Sequence, residues 1–263
     1  MATLVSFHAH PDDEAIACGG TFAKASKEGH RVVLVIATKG EHGEVAEGFL
    51  KEGEELWTRR ELEVETAAQI LGVHRWEFLG YSDSGMMGTP QNEEPGSFWS
   101  ADGEEAAQRL AKILDEEDAD ILTIYDSNGT YGHPDHIQVH RVGVRAAEIA
   151  GTKKVYESVI STERIVEFGA KLQELGGEPP IDVEETPIGV PEDTITTFVD
   201  VGDFTDVKRA AMAAHASQIS EESFFLSLPD ELHREVFGIE LYRLRGAPPG
   251  LHETSLYDDV SAD

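Results

Sequence analysis

The stretch RVVLVIAT, residues 31–38, decides the fold class, because it is a continuous apolar run in which most residues are β-branched. Such a run is typical of a strand that is buried on both faces, as in a parallel sheet with helices on either side. Further short apolar runs predict strands at residues 3–7, 76–79, 120–125 and 154–160.

Segments with helical periodicity separate these strands. They cover residues 14–29, 54–71, 101–117 and 136–149. Gly29 and Gly72 stand where the first two helices should stop, as helix C-termini favour. Strands that alternate with helices predict right-handed βαβ units. We therefore expect an α/β fold, a Rossmann-like three-layer sandwich with a mostly parallel sheet.

The C-terminal part of the chain is less regular. The pattern predicts a strand at residues 196–201 and a helix at residues 205–217, whereas residues 176–194 are rich in Gly, Pro and Glu and predict a loop. Residues 246–263 contain two prolines and several acids, which predicts a loose acidic tail.

The composition is strongly acidic. Among 263 residues, 21 are Lys or Arg and 51 are Asp or Glu, which gives a formal net charge of −30. This charge repels nucleic acid and anionic membranes, so we expect neither as a partner. The hydrophobic fraction of 40% is enough for a buried core. The sequence leaves the oligomeric state open, a homo-oligomer included.

The sequence also gives an expectation for the cellular location. No apolar run reaches the roughly 20 residues that span a bilayer. The first residues lack the basic start of a signal peptide, and the single cysteine, Cys18, excludes an intramolecular disulfide. We therefore expect a cytoplasmic protein.

A first polar motif, HAHPDDE at residues 8–14, directly follows the first strand. In open α/β sheets, sites form at the carboxyl ends of strands. His10 and Asp13 are three residues apart and can converge on one ion, and imidazole plus carboxylate is a common open zinc or iron set. Asp12 would then be free to act on a metal-bound water.

A second motif, YGHPDH at residues 131–136, follows the strand at residues 120–125. Pro134 suits the first turn of a helix, and His133 and His136 are again three residues apart. Together the two motifs would supply three protein ligands and leave one coordination position for water, as in a catalytic zinc site.

Each motif taken alone has a simpler explanation. An Asp followed by a helix, or a Pro in its first turn, is typical of an ordinary helix N-terminus. Two His/Asp clusters at adjacent strand ends are harder to explain by capping. His140 lies one turn beyond His136 on the same helix face, and we assign it a packing or supporting role rather than that of a fourth ligand.

These motifs resemble those of the PIG-L/LmbE-like family of zinc-dependent N-deacetylases, which includes N-acetylglucosaminyl-phosphatidylinositol deacetylases and the deacetylase and conjugate amidase of mycothiol metabolism. The likeness extends from residue 3 to about residue 245. It rests on AHPDDE at residues 9–14, YSDSGM at 81–86, YGHPDH at 131–136, RRELEVETAAQILGV at 59–73 and AAHASQI at 213–219.

The resemblance implies one deacetylase domain over residues 1–263, with a core at 1–160, a substrate-side region at 161–245 and the tail at 246–263. It also implies the roles of the site residues. The zinc (Zn²⁺) ligands, with ferrous iron as the alternative metal, are His10, Asp13 and His136. The general base, the oxyanion-stabilising histidine, the mobile active-site tyrosine and the two sugar contacts fall on Asp12, His133, Tyr131, Arg60 and Asp83.

Arg60 and Asp83 also have structural interpretations. Arg60 would pair with Glu63 or Glu65 on its own helix, and Asp83 would cap a turn.

The implied function is a hydrolase that removes an N-acyl group, in the simplest case N-acetyl, from a small amino sugar such as an N-acetylglucosaminide. The alternative is an amidase acting on a larger acylated amino-sugar thiol conjugate, because residues 15–18 match the pattern of neither mycothiol enzyme. A nucleotide-binding protein would need G-x-G-x-x-G after the first strand, which is absent. A non-catalytic sugar-binding module would have no use for Asp12.

Overall fold

The computed structural model describes residues 1–174 and 188–260. Its strands are β1 Thr3–His8, β2 Arg31–Thr38, β3 Arg75–Tyr81, β4 Ile121–Tyr125, β5 Lys154–Val159, β6 Thr197–Asp200 and β7 Ile239–Leu244. They form one sheet in the order β3-β2-β1-β4-β5-β7-β6. Strands β1 to β5 are parallel, and β7 is antiparallel to both β5 and β6.

Helices cover both faces of this sheet. They are α1 Asp13–Lys27, α2 Leu56–Leu71, α3 Gly103–Glu116, α4 Gly129–Gly132, α5 Pro134–Ala150, α6 Thr162–Glu174, α7 Thr205–Ala214, α8 Phe224–Ser227 and α9 Asp230–Phe237. No helix of the described ranges is both long and apolar enough to cross a membrane.

Alternate side chains of the central strands enter two separate cores. Leu4, Leu34 and Ile36 pack with α1, α2 and α7 on one face. Val5 and Val35 pack with α3 and α5 on the other face. Because both faces are covered, β2 is a continuous apolar run rather than an alternating one. The predicted α/β sandwich with a mostly parallel sheet is confirmed.

The structure departs from the prediction mainly after β5. Strand β7 and helices α6, α8 and α9 had no counterpart in the sequence pattern, and most of the loop predicted at residues 176–194 lies outside the described residues. The tail expected to be loose is packed over part of its length. Leu256 is buried, and Glu253 accepts hydrogen bonds from Tyr156 and Thr197. A carboxylate with several donors holds this segment against the sheet edge.

Candidate active site

The two polar motifs meet at the carboxyl ends of two neighbouring strands. Strand β1 pairs with β2 on one side and with β4 on the other, so the connections leaving β1 and β4 diverge to opposite faces of the sheet. The crevice opened by such a divergence is the usual ligand site of an open α/β sheet. The turns before α1 and α5 line it.

The two predicted histidine ligands approach one carboxylate oxygen of the third predicted ligand, Asp13. Asp13 Oδ2 lies 3.5 Å from His10 Nδ1 and 3.4 Å from His136 Nε2. The same oxygen accepts a hydrogen bond from the backbone amide of His10 at 2.8 Å, which fixes the carboxylate on the turn. The residues predicted as a metal site are therefore brought together.

The second nitrogen of His10 faces a carboxylate that the sequence analysis did not single out. His10 Nε2 lies 3.2 Å from Oδ2 of Asp135, which is fully buried. Asp135 also accepts hydrogen bonds from the backbone amide of Ser84 at 2.9 Å and from its hydroxyl. A metal-binding histidine typically donates its other N–H to a carboxylate in this way. The arrangement leaves His10 Nδ1 for the metal.

His133 is the N-cap of α5. Its Nδ1 accepts a hydrogen bond from the backbone amide of Asp135 at 3.1 Å. The proton of the neutral ring must then be on Nε2, which makes that atom a donor. Burial, with a smaller contribution from the neighbouring imidazoles of His10 and His136, lowers the pKa of His133 to about 4, so the ring is neutral at physiological pH.

His10, His133 and His136 form another possible metal-binding set. The tautomer of His133 makes this set less favourable. Nitrogens of His10, His133 and His136 all lie within 4.8 Å of one another. A metal bound to His133 would need Nε2 without a hydrogen, or would displace Nδ1 from the helix cap. Asp13 has no such conflict, so we favour His10, Asp13 and His136 as the ligand set.

Asp12 lies beside this set in a strained backbone conformation. Its φ of 110° and ψ of −32° fall outside the regions that L-residues normally adopt, and its side chain makes no capping hydrogen bond although it is the N-cap of α1. Such a conformation costs about 1–3 kcal/mol and persists only where the surroundings enforce it. Helix capping therefore does not explain Asp12.

Arg60 is buried next to Asp12 rather than exposed to a substrate. Its guanidinium donates to the carbonyl oxygens of Gly40 and Pro11 and lies 3.2 Å from Asp12 Oδ2. Burial raises the pKa of Asp12 to about 6 despite the opposing charge of Arg60. The alternative pairing of Arg60 with Glu63 or Glu65 is wrong, because Arg60 pairs with Asp12.

Asp83 lies deep in the same crevice. Its Oδ1 is 3.7 Å from His10 Nε2 and accepts a hydrogen bond from the amide of Gly85 at 2.8 Å, so it does cap a turn. Its Oδ2 accepts from the amide of His42 at 3.3 Å. Burial would raise the pKa of Asp83, but the nearby imidazole of His10 and the amide donors of Gly85 and His42 outweigh it and hold this pKa well below its usual value.

Tyr131 lies at the rim of the site with its hydroxyl 3.5 Å from His136 Nε2. It belongs to the single-turn helix α4, and its neighbour Thr130 has a non-helical φ of 67° and ψ of −55°. The ring is 39% exposed, which leaves it accessible from the crevice. His140 Nδ1 lies 3.0 Å from the carbonyl oxygen of Tyr125, and the supporting role of His140 stays a prediction.

A buried pair behind Asp12 was not predicted from the sequence. Glu14 and His215 are both fully buried, and Glu14 Oε1 lies 2.6 Å from His215 Nε2. The other Glu14 oxygen accepts the backbone amide of Asp12 at 3.0 Å. Both residues lie in motifs that were noted, HPDDE and AAHASQI, but 201 positions separate them. The pairing becomes evident only in the structure, where the two side chains are buried together.

The charge balance of the crevice fits a divalent cation. Carboxylates of Asp13, Asp83 and Asp135 lie around His10 and His136, and Asp12 adjoins them in the chain. Within the described residues, Arg60 is the one guanidinium paired with any of these four carboxylates. Unbalanced buried carboxylates are costly. Two imidazoles and one carboxylate form a donor set that suits zinc with an open coordination position.

The fold and this site define an α/β protein with a buried His/Asp cluster that could hold a metal ion, and comparison with known families gives the family. The model of the PIG-L family, described as GlcNAc-PI de-N-acetylase, matches residues 5–147. The chain belongs to this family, which confirms the resemblance seen in the motifs.

A curated relative supports the same assignment over nearly the whole chain. The protein is 42% identical over 277 residues to the 1D-myo-inositol 2-acetamido-2-deoxy-alpha-D-glucopyranoside deacetylase of Nocardiopsis dassonvillei, with 95% of this chain and 98% of that relative covered.

Solved structures show the breadth of the fold. The N,N'-diacetylchitobiose deacetylase of Pyrococcus horikoshii superimposes with a TM-score of 0.61 at 23% identity, covering 99% of this chain and 86% of that one. GalB, a 4-carboxy-2-hydroxymuconate hydratase of Pseudomonas putida, gives 0.61 at 20% identity, covering 94% and 98%. One fold thus carries two reactions, so the reaction must be argued from the site.

Proposed function

We propose that this protein is a zinc-dependent N-deacetylase that acts on a small N-acetylglucosaminide. The observation that carries the proposal is that Asp12 directly precedes Asp13, the residue that His10 and His136 approach, and that the two carboxylates are close enough for their charges to interact. A base next to an open metal site is the arrangement that hydrolysis of an amide requires.

We propose His10 Nδ1, Asp13 Oδ2 and His136 Nε2 as the metal ligands. The hydrogen bond geometry of His10 with Asp135 supports the choice of Nδ1. When bound, the metal supplies Lewis acidity and lowers the pKa of a coordinated water toward about 7. The same donors accept ferrous iron, and metal analysis separates the two.

Asp12 is proposed as the general base. Its carboxylate removes a proton from the attacking water as the acetyl carbonyl carbon becomes tetrahedral, and the same proton is then delivered to the leaving amine. Arg60 donates a hydrogen bond to Oδ2 of Asp12, which limits the rotation of this carboxylate. The products are acetate and the free amino sugar.

His133 is proposed as the donor to the developing oxyanion. Because the helix cap fixes Nδ1, the ring need not reorient for Nε2–H to donate to the oxyanion. Preorganised donors of this kind contribute about 10²–10³ in rate. The hydroxyl of Tyr131, at the accessible rim, is proposed as a second donor.

Asp83 is proposed to bind the substrate directly, whereas Arg60, which is buried against Asp12, is proposed to affect substrate binding only indirectly. Asp83 must exchange its long hydrogen bond with the amide of His42 for a sugar hydroxyl. Arg60 has two donor atoms bound to backbone carbonyls and to Asp12, so its contribution to substrate binding is exerted through Asp12.

The substrate part of the proposal rests on the relative from Nocardiopsis, whose name specifies a GlcNAc-inositol. We also propose that the reaction takes place in the cytoplasm.

A deacetylation assay with metal analysis on the same sample tests the function. The panel contains the GlcNAc-inositol, simple N-acetylglucosaminides and an acylated amino-sugar thiol conjugate. We expect release of acetate from the N-acetylglucosaminides and about one zinc per chain. Hydrolysis of the conjugate alone would replace the proposal with the amidase, and no hydrolysis by metal-loaded protein would refute it.

A further inference from the structure

Two buried ion pairs hold helix α1 in place, one at its N-terminus and one near its middle. Glu14 pairs with His215 at 2.6 Å, and Glu240 pairs with Lys208 at 2.5 Å, and all four side chains are almost completely buried. Each glutamate also accepts backbone amides of the connection or helix. Glu240 accepts those of Gly20 and Thr21, in the middle of α1, whereas Glu14 accepts that of Asp12, at the active site.

The Glu14–His215 pair contacts Asp12, the residue with the strained backbone in the turn before α1. Asp12 has a φ of 110°. Its backbone amide donates a hydrogen bond to the Glu14 carboxylate, and its side chain accepts one from Arg60, so both contacts hold this conformation. His215 is the one side-chain partner of Glu14 among the described residues. Removal of one member of a buried pair leaves an uncompensated charge and is strongly disruptive. Loss of His215 would therefore loosen Glu14 and then Asp12.

The turn that carries His215 is itself anchored next to the site. Ser217 donates its amide and hydroxyl to the carboxylate of Glu63 at 2.9 and 2.6 Å. Glu63 lies on α2, the helix that carries Arg60. The turn after α7 thus fixes both elements that hold Asp12, α1 through His215 and α2 through Ser217.

We propose that His215 is a positioning residue for Asp12, acting through Glu14 to hold the strained turn in the conformation that aims the base into the crevice. The inference rests on the proposed function of Asp12. Among the described residues, His215 makes no hydrogen bond or ion pair with His10, Asp13 or His136, and the proposal gives the AAHASQI segment a role in the reaction.

The test compares His215→Ala with the matched control Lys208→Ala, which removes the cation of the other brace of α1. We expect kcat of His215→Ala to fall by roughly 10²-fold, the usual effect of displacing a catalytic group by about 1 Å. KM and zinc content should stay within about twofold of the parent. Lys208→Ala should lower the melting temperature but leave kcat near the parent value.

A second set of variants separates positioning from general damage. His215→Gln retains a donor for Glu14 and should recover much of kcat. If His215→Ala does not fold, a kcat of His215→Gln no higher than that of Asp12→Asn would contradict the proposal. In an Asp12→Asn background, removal of His215 should cause no further loss of kcat, because the group that it positions is already inactive.

Three outcomes would overturn the inference. They are equal kcat losses in His215→Ala and Lys208→Ala, an undiminished loss from His215→Ala in the Asp12→Asn background, and a loss of zinc that accounts for the lost activity. A parent protein that releases no acetate would instead refute the proposed function, and this inference with it.

Discussion

The tripeptide His-Pro-Asp occurs twice, at residues 10–12 and 133–135, each time between a buried strand and a helix. Helix α1 begins after the first copy, at Asp13, whereas α5 begins within the second copy, at Pro134. His133 therefore becomes a helix cap and Asp135 a buried member of the first turn. Asp12 becomes an N-cap that does not cap. A shift of two residues in the helix start gives identical residues different chemistry.

The largest effect is expected from the residue that follows the second tripeptide. His136→Ala removes one of three proposed ligands, and we expect loss of most of the zinc and of essentially all activity. Metal analysis after gel filtration measures this. His140→Ala, one turn further along α5, is the matched control and should keep its zinc. Zinc retained in His136→Ala would remove that residue from the ligand set.

Asp12→Asn should give the next largest effect. The isosteric amide cannot accept the proton, and kcat should fall by about 10²–10⁴ with zinc content unchanged. Steady-state kinetics on metal-quantified protein checks this. If the variant lost its zinc instead, the assignments of Asp12 and Asp13 would have to be exchanged.

His133→Asn separates the capping role of His133 from its donor role. Asparagine is a good N-cap, so the melting temperature should stay near the parent value, whereas loss of the Nε2–H donor should lower kcat by about 10²–10³. His133→Ala should lose a further ~1 kcal/mol of stability. Thermal unfolding of both variants is the measurement, and equal stability would show that the cap contributes nothing.

The smallest effect on kcat is expected from the counterpart of Asp12 in the second copy. Asp135→Asn weakens the partner of His10 Nε2, and we expect zinc affinity to fall about 10–100-fold while kcat at saturating zinc stays near the parent value. Competition with a chelator measures the affinity. A kcat loss as large as that of Asp12→Asn, at saturating zinc, would show that the two copies do not differ as described.

The fold was predictable where one local pattern decides the element. The five parallel strands and the helices between them follow from apolar runs and helical periodicity. Strand β7, with Glu240 and Arg243 inside it, has no such pattern, because partners elsewhere in the chain satisfy these charges. Helix α9 has only eight residues, too few for a clear period.

The two motifs of the site were predictable, but the contacts between distant residues were not. The reason is again that local patterns mark the motifs, whereas the contacts depend on tertiary packing. Residues that act from a strand end, such as His10 and His136, are marked by their place after an apolar run. The partnership of Glu14 with His215 depends on how α7 docks against α1. The contact of Arg60 with Asp12 depends on how α2 docks, and neither docking is encoded in local spacing.

The strained backbone of Asp12 also has a consequence for protein engineering. Glycine adopts a φ of 110° readily, whereas alanine does not. Asp12→Gly and Asp12→Ala both remove the carboxylate, so the difference in their stability reports the strain at this position less the larger conformational entropy that glycine loses on folding. A selection for heat resistance that ignores turnover would favour glycine at position 12 over alanine, and would thereby enrich robust chains without the catalytic base.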